Sequence, residues 1–262
     1  MKQTLFRSLQ ALGVNALFRR LNRGRIKVLL YHNIANDRGA FANAITPEAF
    51  DEHLLHLIRH YNIVGMDQAG QWQGYRADQV NVLITFDDGF INLVETAVPI
   101  LRRHGISAVF FLIADCAETG APPAFAATYG GSANQACYAT VGAAEVGALL
   151  EAGMTIGSHS LRHDDFSAME DAAMVVDARA SRAKLEALCG RDVATFAFPW
   201  GKHREHQKAL VGQAYERVFL TEHGFCEPGD RFVPRNEVDT LPQLQAAASG
   251  ALDFLKGKRR ER

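Results

Sequence analysis

The chain is expected to be an α/β protein: a parallel sheet covered by helices. Three observations predict this. Short apolar runs alternate with segments whose apolar residues recur at helical spacing, the pattern of β-strand and crossover helix. A hydrophobic content of 48% with 22% charged residues belongs to a globular chain that can bury a sizeable core. No Pro/Ser-rich linker divides the 262 residues, so one large domain is expected.

The elements follow in order. Residues 25–31 (Arg-Ile-Lys-Val-Leu-Leu-Tyr) read as the first strand. Thr46-Pro47-Glu48 combines an N-cap, a first-turn proline and an acidic first turn. The helix it opens, over 49–60, carries Phe50, Leu54, Leu57 and Ile58 at helical spacing. A strand over 82–86 comes next, then a helix over 93–104 stopped by Gly105, then the fully apolar strand 108–113. Residues 115–140 are rich in Ala, Gly and Pro without a clear period, which reads as a long loop suited to a lid or substrate wall. Helices over 141–152 and 168–188 flank a short strand at 153–156, and late strands are expected at 193–198, 217–220 and 231–233.

Three stretches carry chemistry. In Ile84-Thr85-Phe86-Asp87-Asp88-Gly89, two adjacent carboxylates leave the end of a strand and a glycine permits a sharp turn. Two such charges repel, and a cation or a shared proton is the usual compensation. In Gly157-Ser158-His159-Ser160-Leu161-Arg162-His163, two imidazoles lie four residues apart, a spacing that sets both on one face of a helical turn where they can share one metal ion. Imidazole with carboxylate suits zinc, and also cobalt, nickel or iron. Thr195-Phe196-Ala197-Phe198-Pro199-Trp200-Gly201 is an apolar strand ended by proline, with Trp200 able to wall a sugar pocket.

Together these stretches resemble the polysaccharide deacetylases, the NodB-homology group of carbohydrate esterase family 4. Thr85-Phe86-Asp87-Asp88-Gly89 matches the family's first motif without substitution, and His159-Ser160-Leu161-Arg162-His163 matches the second. Phe196 to Gly201 is similar to the third, and Leu29-Leu30-Tyr31-His32-Asn33-Ile34 to the Tyr-His opening of many members. The resemblance runs from about residue 26 to about 238. It implies a distorted, incomplete (β/α) barrel with its site at the C-terminal strand ends. It further implies that Asp88, His159 and His163 bind a divalent metal, most often zinc, and that Asp87 is the base acting on a metal-activated water. Pro199, Trp200 and Tyr31 are implied as substrate or oxyanion contacts, the oxyanion resting on the metal and a backbone N–H near Trp200.

Two departures stand out. The family's third motif carries an arginine two residues before its proline, where this chain has Ala197; Arg235, in Val233-Pro234-Arg235-Asn236, is the candidate replacement. The late Leu-x-His that supplies a general acid in many members is one residue too long here, Leu220-Thr221-Glu222-His223, so His223 and His32 are both candidates. The implied reaction is removal of N-acetyl or other N-acyl groups from amino sugars of a glycan or glycan precursor. The alternatives are O-deacetylation of carbohydrate and a glycan-binding relative with weak turnover.

The formal net charge of −1 gives no electrostatic case for a nucleic-acid partner. The N-terminus is different: Lys2, Arg7, Arg19, Arg20, Arg23, Arg25 and Lys27 precede the first acid, Asp37. Leu5, Leu9, Leu12 and Ala16 share a helical face, with Phe6 and Leu17 beside it. Residues 1–24 are therefore expected to form a basic amphipathic helix, either packed on the barrel or lying on an anionic membrane surface. The catalytic domain is expected over 25–255 and a solvated basic tail over 256–262. Cys116, Cys137, Cys189 and Cys226 form no close pair or metal-knuckle spacing; Cys116 and Cys137 flank the long loop and have the placement for a bridge. The sequence shows no export signal, so reduced thiols, a cytoplasmic location and contact with the inner membrane surface are the expectation. Nothing in the sequence indicates an oligomeric state.

Overall fold

In chain order the strands are β1 (Ile26–Tyr31), β2 (Asn33–Ile34), β3 (Ala44–Ile45), β4 (Asn62–Ile63), β5 (Gly65–Met66), β6 (Trp72–Gln73), β7 (Asn81–Phe86), β8 (Val109–Leu112), β9 (Thr155–Ser158), β10 (Thr195–Ala197), β11 (Arg217–Leu220) and β12 (Phe232–Glu237). The helices are α1 (Val14–Leu21), α2 (Pro47–His60), α3 (Asn92–Glu95), α4 (Ala97–Arg103), α5 (Ala114–Thr119), α6 (Ala143–Glu151), α7 (Asp171–Cys189), α8 (Gln207–Val211) and α9 (Leu241–Ser249). The structure is a computed structural model and describes residues 13–36, 44–128 and 138–254.

The main sheet has eight strands in the order β1-β12-β11-β10-β9-β8-β7-β4, and β1 also pairs with β7. Seven strands therefore close into a ring, one fewer than a complete (β/α)₈ barrel, while β4 hangs on β7 outside it. Every pairing in the ring is parallel. The seam between β1 and β7 is the longest, running from Ile26↔Asn81 to Tyr31↔Phe86. Between β9 and β10 a single pair, Phe196↔Ser158, holds the ring, and here the barrel is distorted.

The strands are apolar throughout because both their faces are covered. Ile26, Val28, Leu83, Val109, Phe111, Ala197, Phe219 and Val233 fill the interior of the ring. The alternate residues Leu29, Val82, Ile84, Phe110, Phe196 and Val218 join the second core beneath the helices. This two-residue period fixes which side chains reach the barrel mouth. Continuing the inward set past each C-terminal strand end gives His32 from β1, Asp87 from β7, His159 from β9, Thr221 from β11 and Glu237 from β12.

Helix α2 begins as its sequence predicts: Pro47 occupies the first turn, and the Thr46 hydroxyl accepts a 3.2 Å bond from the Ala49 amide. Phe50, Leu54 and Leu57 face the core, whereas Ile58 is exposed, contrary to expectation. Substituting Thr46→Ala is expected to cost about 1 kcal/mol of stability, read by urea denaturation; an unchanged midpoint would show that the cap contributes nothing.

Other elements depart from expectation. The helix over 93–104 is broken into α3 and α4 at Thr96, because Pro99 cannot donate to the Glu95 carbonyl and its ring crowds it. The last strand continues past Val233 to Glu237, with Pro234 opposite Leu220. Residues 115–119 of the expected loop belong to α5, and Phe125 lies among the site residues. Cys116, Cys189 and Cys226 are free thiols. Cys137 lies outside the described residues, as do residues 1–12 and the basic tail over 256–262.

Candidate active site

Asp87 is buried at the barrel mouth. Arg235 reaches it across the ring from β12 with two parallel bonds, Nη1 to Oδ1 at 2.6 Å and Nη2 to Oδ2 at 2.8 Å. The fully buried guanidinium lies over the Phe111 ring, 5.2 Å from its centroid. Ala197 is part of the same interior cluster as Phe111 and Phe219, so its small side chain leaves space for a guanidinium arriving from another strand. Burial alone would raise the Asp87 carboxyl; the charge of Arg235 and its paired bonds outweigh it and hold Asp87 below its ordinary value.

Asp88 is aimed differently. Its φ is +68°, followed by Gly89 at +67°, so the chain turns abruptly after Asp87. A Cβ on Gly89 would meet Leu112 at 2.5 Å, which makes glycine the residue that fits. The turn brings Asp88 Oδ1 to 3.2 Å from His163 Nε2 and 3.5 Å from His159 Nε2. Asp87 Oδ2 lies 3.9 Å from His159 Nε2.

The two histidines do not share a helical turn, as their spacing suggested. Residues 159–165 are irregular: Ser160 and His163 both have positive φ, and the His163 amide donates to Ser160 Oγ at 2.9 Å. The backbone is also pinned from α5, whose Ala114 and Asp115 amides donate to the carbonyls of Ser160 and Leu161. These long-range bonds override local helix geometry and still bring the rings to a centroid separation of 4.8 Å. Among the described residues, the non-glycine positions with positive φ are Asp88, Ser160, His163 and Trp200, and all belong to this site. Each such conformation costs on the order of 1–3 kcal/mol, so the fold stores strain where the ligand set is assembled.

Asp88, His159 and His163 offer ligand atoms that all lie within 4.8 Å of one another. The donor chemistry fits a divalent cation. His159 Nδ1 lies 2.8 Å from the Ala197 carbonyl, an obligate acceptor, so that nitrogen carries the proton and Nε2 presents a lone pair to the Asp88 carboxylate. Two acceptors aimed at each other in a buried site are compensated by a cation or a shared proton, and this donor set can hold the former. Burial lowers the His159 pKa to about 4. For Asp88, burial raises the carboxyl, but its contacts with His163 and His159 win and hold it well below the carboxylate range. At neutral pH this leaves one neutral imidazole and one anionic carboxylate, the protonation states a metal requires.

These groups open into a pocket of about 320 Å³ that also exposes His32, Asn33, Phe90, Phe125, Trp200 and Glu237. His32 Nδ1 pairs with Glu237 Oε1 at 3.2 Å. Burial opposes the imidazolium of His32, but the Glu237 bond and the charges of Asp88 and Asp87 overcome it and push the pKa up to about 9. Trp200 Nε1 donates to the His163 carbonyl at 3.2 Å, and Phe125 packs edge-on against Trp200 at 5.2 Å between centroids.

Asp87, Asp88, His159, His163, Arg235, His32 and Trp200 thus converge, but three expected residues do not. Tyr31 has outward strand parity and is buried against Phe50 and Phe86, its hydroxyl 3.2 Å from His53 Nδ1; it is a core residue. Pro199 is buried in the turn that presents Trp200 and does not line the pocket. His223 does not line it either: its Nδ1 meets the side chain of Asn236, which points out of the ring because it alternates with Arg235. Of the two acid candidates, His32 lines the pocket and His223 does not. Sequence reasoning missed Glu237, Asn33 and Phe125. Glu237 was findable, since it lies two residues past Arg235 on the same strand face. Asn33 Nδ2 is buried without a partner at the pocket, while its Oδ1 accepts from Asn92, a pairing that no sequence pattern announces.

The family model of polysaccharide deacetylases matches residues 75–216, more than half of the 262-residue chain. The chain is 21% identical over 231 residues to the putative polysaccharide deacetylase YxkH of Bacillus subtilis, covering 87% of this chain and 75% of that protein. Among solved structures, IcaB from Ammonifex degensii superposes with a TM-score of 0.70 at 22% identity, over 86% of this chain and 97% of that one. The Streptococcus pyogenes deacetylase PplD, solved with acetate, superposes with a TM-score of 0.66 at 19% identity, over 87% and 97%.

Proposed function

Because the chain belongs to the polysaccharide deacetylase family, we propose that it is a metal-dependent hydrolase that removes N-acyl groups, acetyl foremost, from amino sugars of a glycan or its precursor. The observation that carries this reading is the division of labour between adjacent carboxylates: Asp88 faces two imidazoles, and Asp87 faces a guanidinium. Asp88, His159 and His163 would hold the dication, zinc being the best match to the donors, with cobalt, nickel and iron as alternatives. When bound, the dication supplies Lewis acidity, making water more acidic and polarising the acyl oxygen.

The chain's own residues supply the rest. Arg235 keeps Asp87 ionised, so its carboxylate is free to take the proton of the attacking water. The backbone N–H near Trp200 is the protein donor assigned to the developing oxyanion. His32, charged and held by Glu237, delivers a proton to the departing nitrogen. That last step favours amides over esters, because an amine leaves poorly unless protonated. O-deacetylation remains the second reading, since the same water attacks an ester.

Acetate release from N-acetylated and O-acetylated oligosaccharides, with and without chelator, tests the assignment. Chelator-sensitive release from the N-acetylated set is expected. Tight glycan binding with no release from either set would instead mark a binding protein. Substituting His32→Gln is expected to lower turnover on amides about 10²-fold while sparing activated esters, and to remove the alkaline limb of the rate profile. His32 acts in its protonated form, so activity falls as pH rises through its pKa; a dication beside Asp88 offsets the carboxylate charge and sets that limb below 9. Equal losses on amide and ester would overturn the acid assignment.

A further inference from the structure

Helix α1 is amphipathic the wrong way round for a helix packed on a protein core. Its fully buried contacts are polar: Asn15 and the C-cap Asn22 are buried, Ser249 Oγ donates to Asn15 Oδ1 at 3.1 Å, and Asn22 Nδ2 donates to the Ser249 carbonyl at 3.0 Å, while Phe18 is half-buried at the flank against Phe254, ring centroids 5.4 Å apart. Its outward side carries Leu17 and Leu21, four residues apart and 57% and 68% exposed, and Phe254 continues the patch at 50%. Arg20 and Arg23 are exposed alongside the leucines. Isolated exposed leucines are ordinary; two on one helical stripe, beside an exposed phenylalanine and opposite a polar inner face, mark a surface that meets an apolar medium.

Charge identifies the medium. No acid occurs before Asp37, while seven basic residues do. Among those described, Lys27 is committed to Asp253, Arg25 to Glu227, and Arg19 lies over the Tyr61 ring. Arg23 is exposed near Asp78, whose carboxyl it helps to lower, and Arg20 is exposed on the turn between Leu17 and Leu21; this neighbourhood of basic and apolar groups fits an anionic bilayer interface. We propose that the outward face of α1, with Phe254, docks the protein on an anionic lipid surface. This proposal does not depend on the hydrolase reading.

Docking of this kind orients the site. Leu21 lies just before Ile26, the first residue of β1, at the N-terminal end of the barrel, whereas the carboxylates and histidines lie at the C-terminal end. Six strand residues at about 3.3 Å each separate the two ends by roughly 20 Å. The cleft then faces away from the lipid.

The test is co-sedimentation of the full chain with phosphatidylcholine vesicles, with and without phosphatidylglycerol. Binding to the anionic vesicles, weakened by salt, is the expected result. L17S/L21S should lose most of it, and R20Q/R23Q about fivefold per arginine removed, both at unchanged melting temperature because these side chains are solvent-exposed. Equal binding to neutral vesicles, no binding to either, or full binding by both variants would overturn the proposal. So would a wild-type dimer in light scattering that L17S/L21S dissolves, since a second copy would then be what covers the face.

Discussion

Replacing Asp87 by asparagine is expected to lower kcat/KM for acetate release by about 10²–10⁴-fold while leaving the metal content intact. Asparagine preserves the shape and can still accept from Arg235 through its carbonyl oxygen, but it cannot take a proton. Asp87 is buried, and Arg235 at 2.6 Å is the neighbour that favours its ionised form; the Nε2 of the neutral His159 lies 3.9 Å away. The companion variant Arg235→Met leaves that carboxylate buried without its partner. Its pKa should then rise, and because the base acts when ionised, the acid limb of the rate profile should move to higher pH. The sign for stability is the same. A carboxyl with a depressed folded pKa stabilises the fold above its unfolded value and loses that contribution as pH falls through the folded one. Removing one partner of a buried ion pair costs about 3–5 kcal/mol, so Arg235→Met should melt earlier, most clearly near neutral pH. An Arg235→Met protein with an unchanged pH profile would sink the proposed link between Arg235 and Asp87, whatever its stability.

How far the sequence foretold this site depends on the range of each interaction. Asp87, Asp88 and His159 could be found because they follow directly on strands, and His163 by its spacing from His159; strand ends and short spacings are local features. The strand period carries further: counting inward positions to and just past the strand ends reaches His32 and Glu237 as well as Asp87. The helical spacing of His159 and His163 misled about conformation, because contacts from α5, more than forty residues earlier in sequence, set that turn. Tyr31 shows the opposite error. Its neighbour His32 reaches the pocket, and a shift of one residue along a strand reverses the face. Arg235 follows from the family resemblance, as the replacement for the arginine missing at Ala197, and strand pairing of β12 with β1, Val28 opposite Arg235, makes the reach feasible.

Substituting Asp88→Asn is expected to remove metal and activity together, taking acetate release to background, and this separates the two aspartates. Asp88 Oδ1 faces both imidazole Nε2 atoms, so losing its charge removes the anionic member of a three-ligand set. Chelation of the wild type should produce the same loss, reversed by adding zinc. The buried carboxylates repel each other without a compensating dication, so the metal should also stabilise the fold. At a hundred times its dissociation constant, a ligand binding only the folded state contributes about 2.7 kcal/mol, seen as a higher melting temperature on zinc addition. Asp88→Asn should show no such rise, whereas Asp87→Asn should keep it. That crossed pattern is the discriminating measurement, because a general loss of structure would abolish both responses. If Asp88→Asn bound zinc and turned over normally, the ligand set would have to be drawn elsewhere. If Asp87→Asn lost its zinc as well, Asp87 would be a ligand, and the base would have to be sought among the remaining carboxylates of the pocket, Glu237 first.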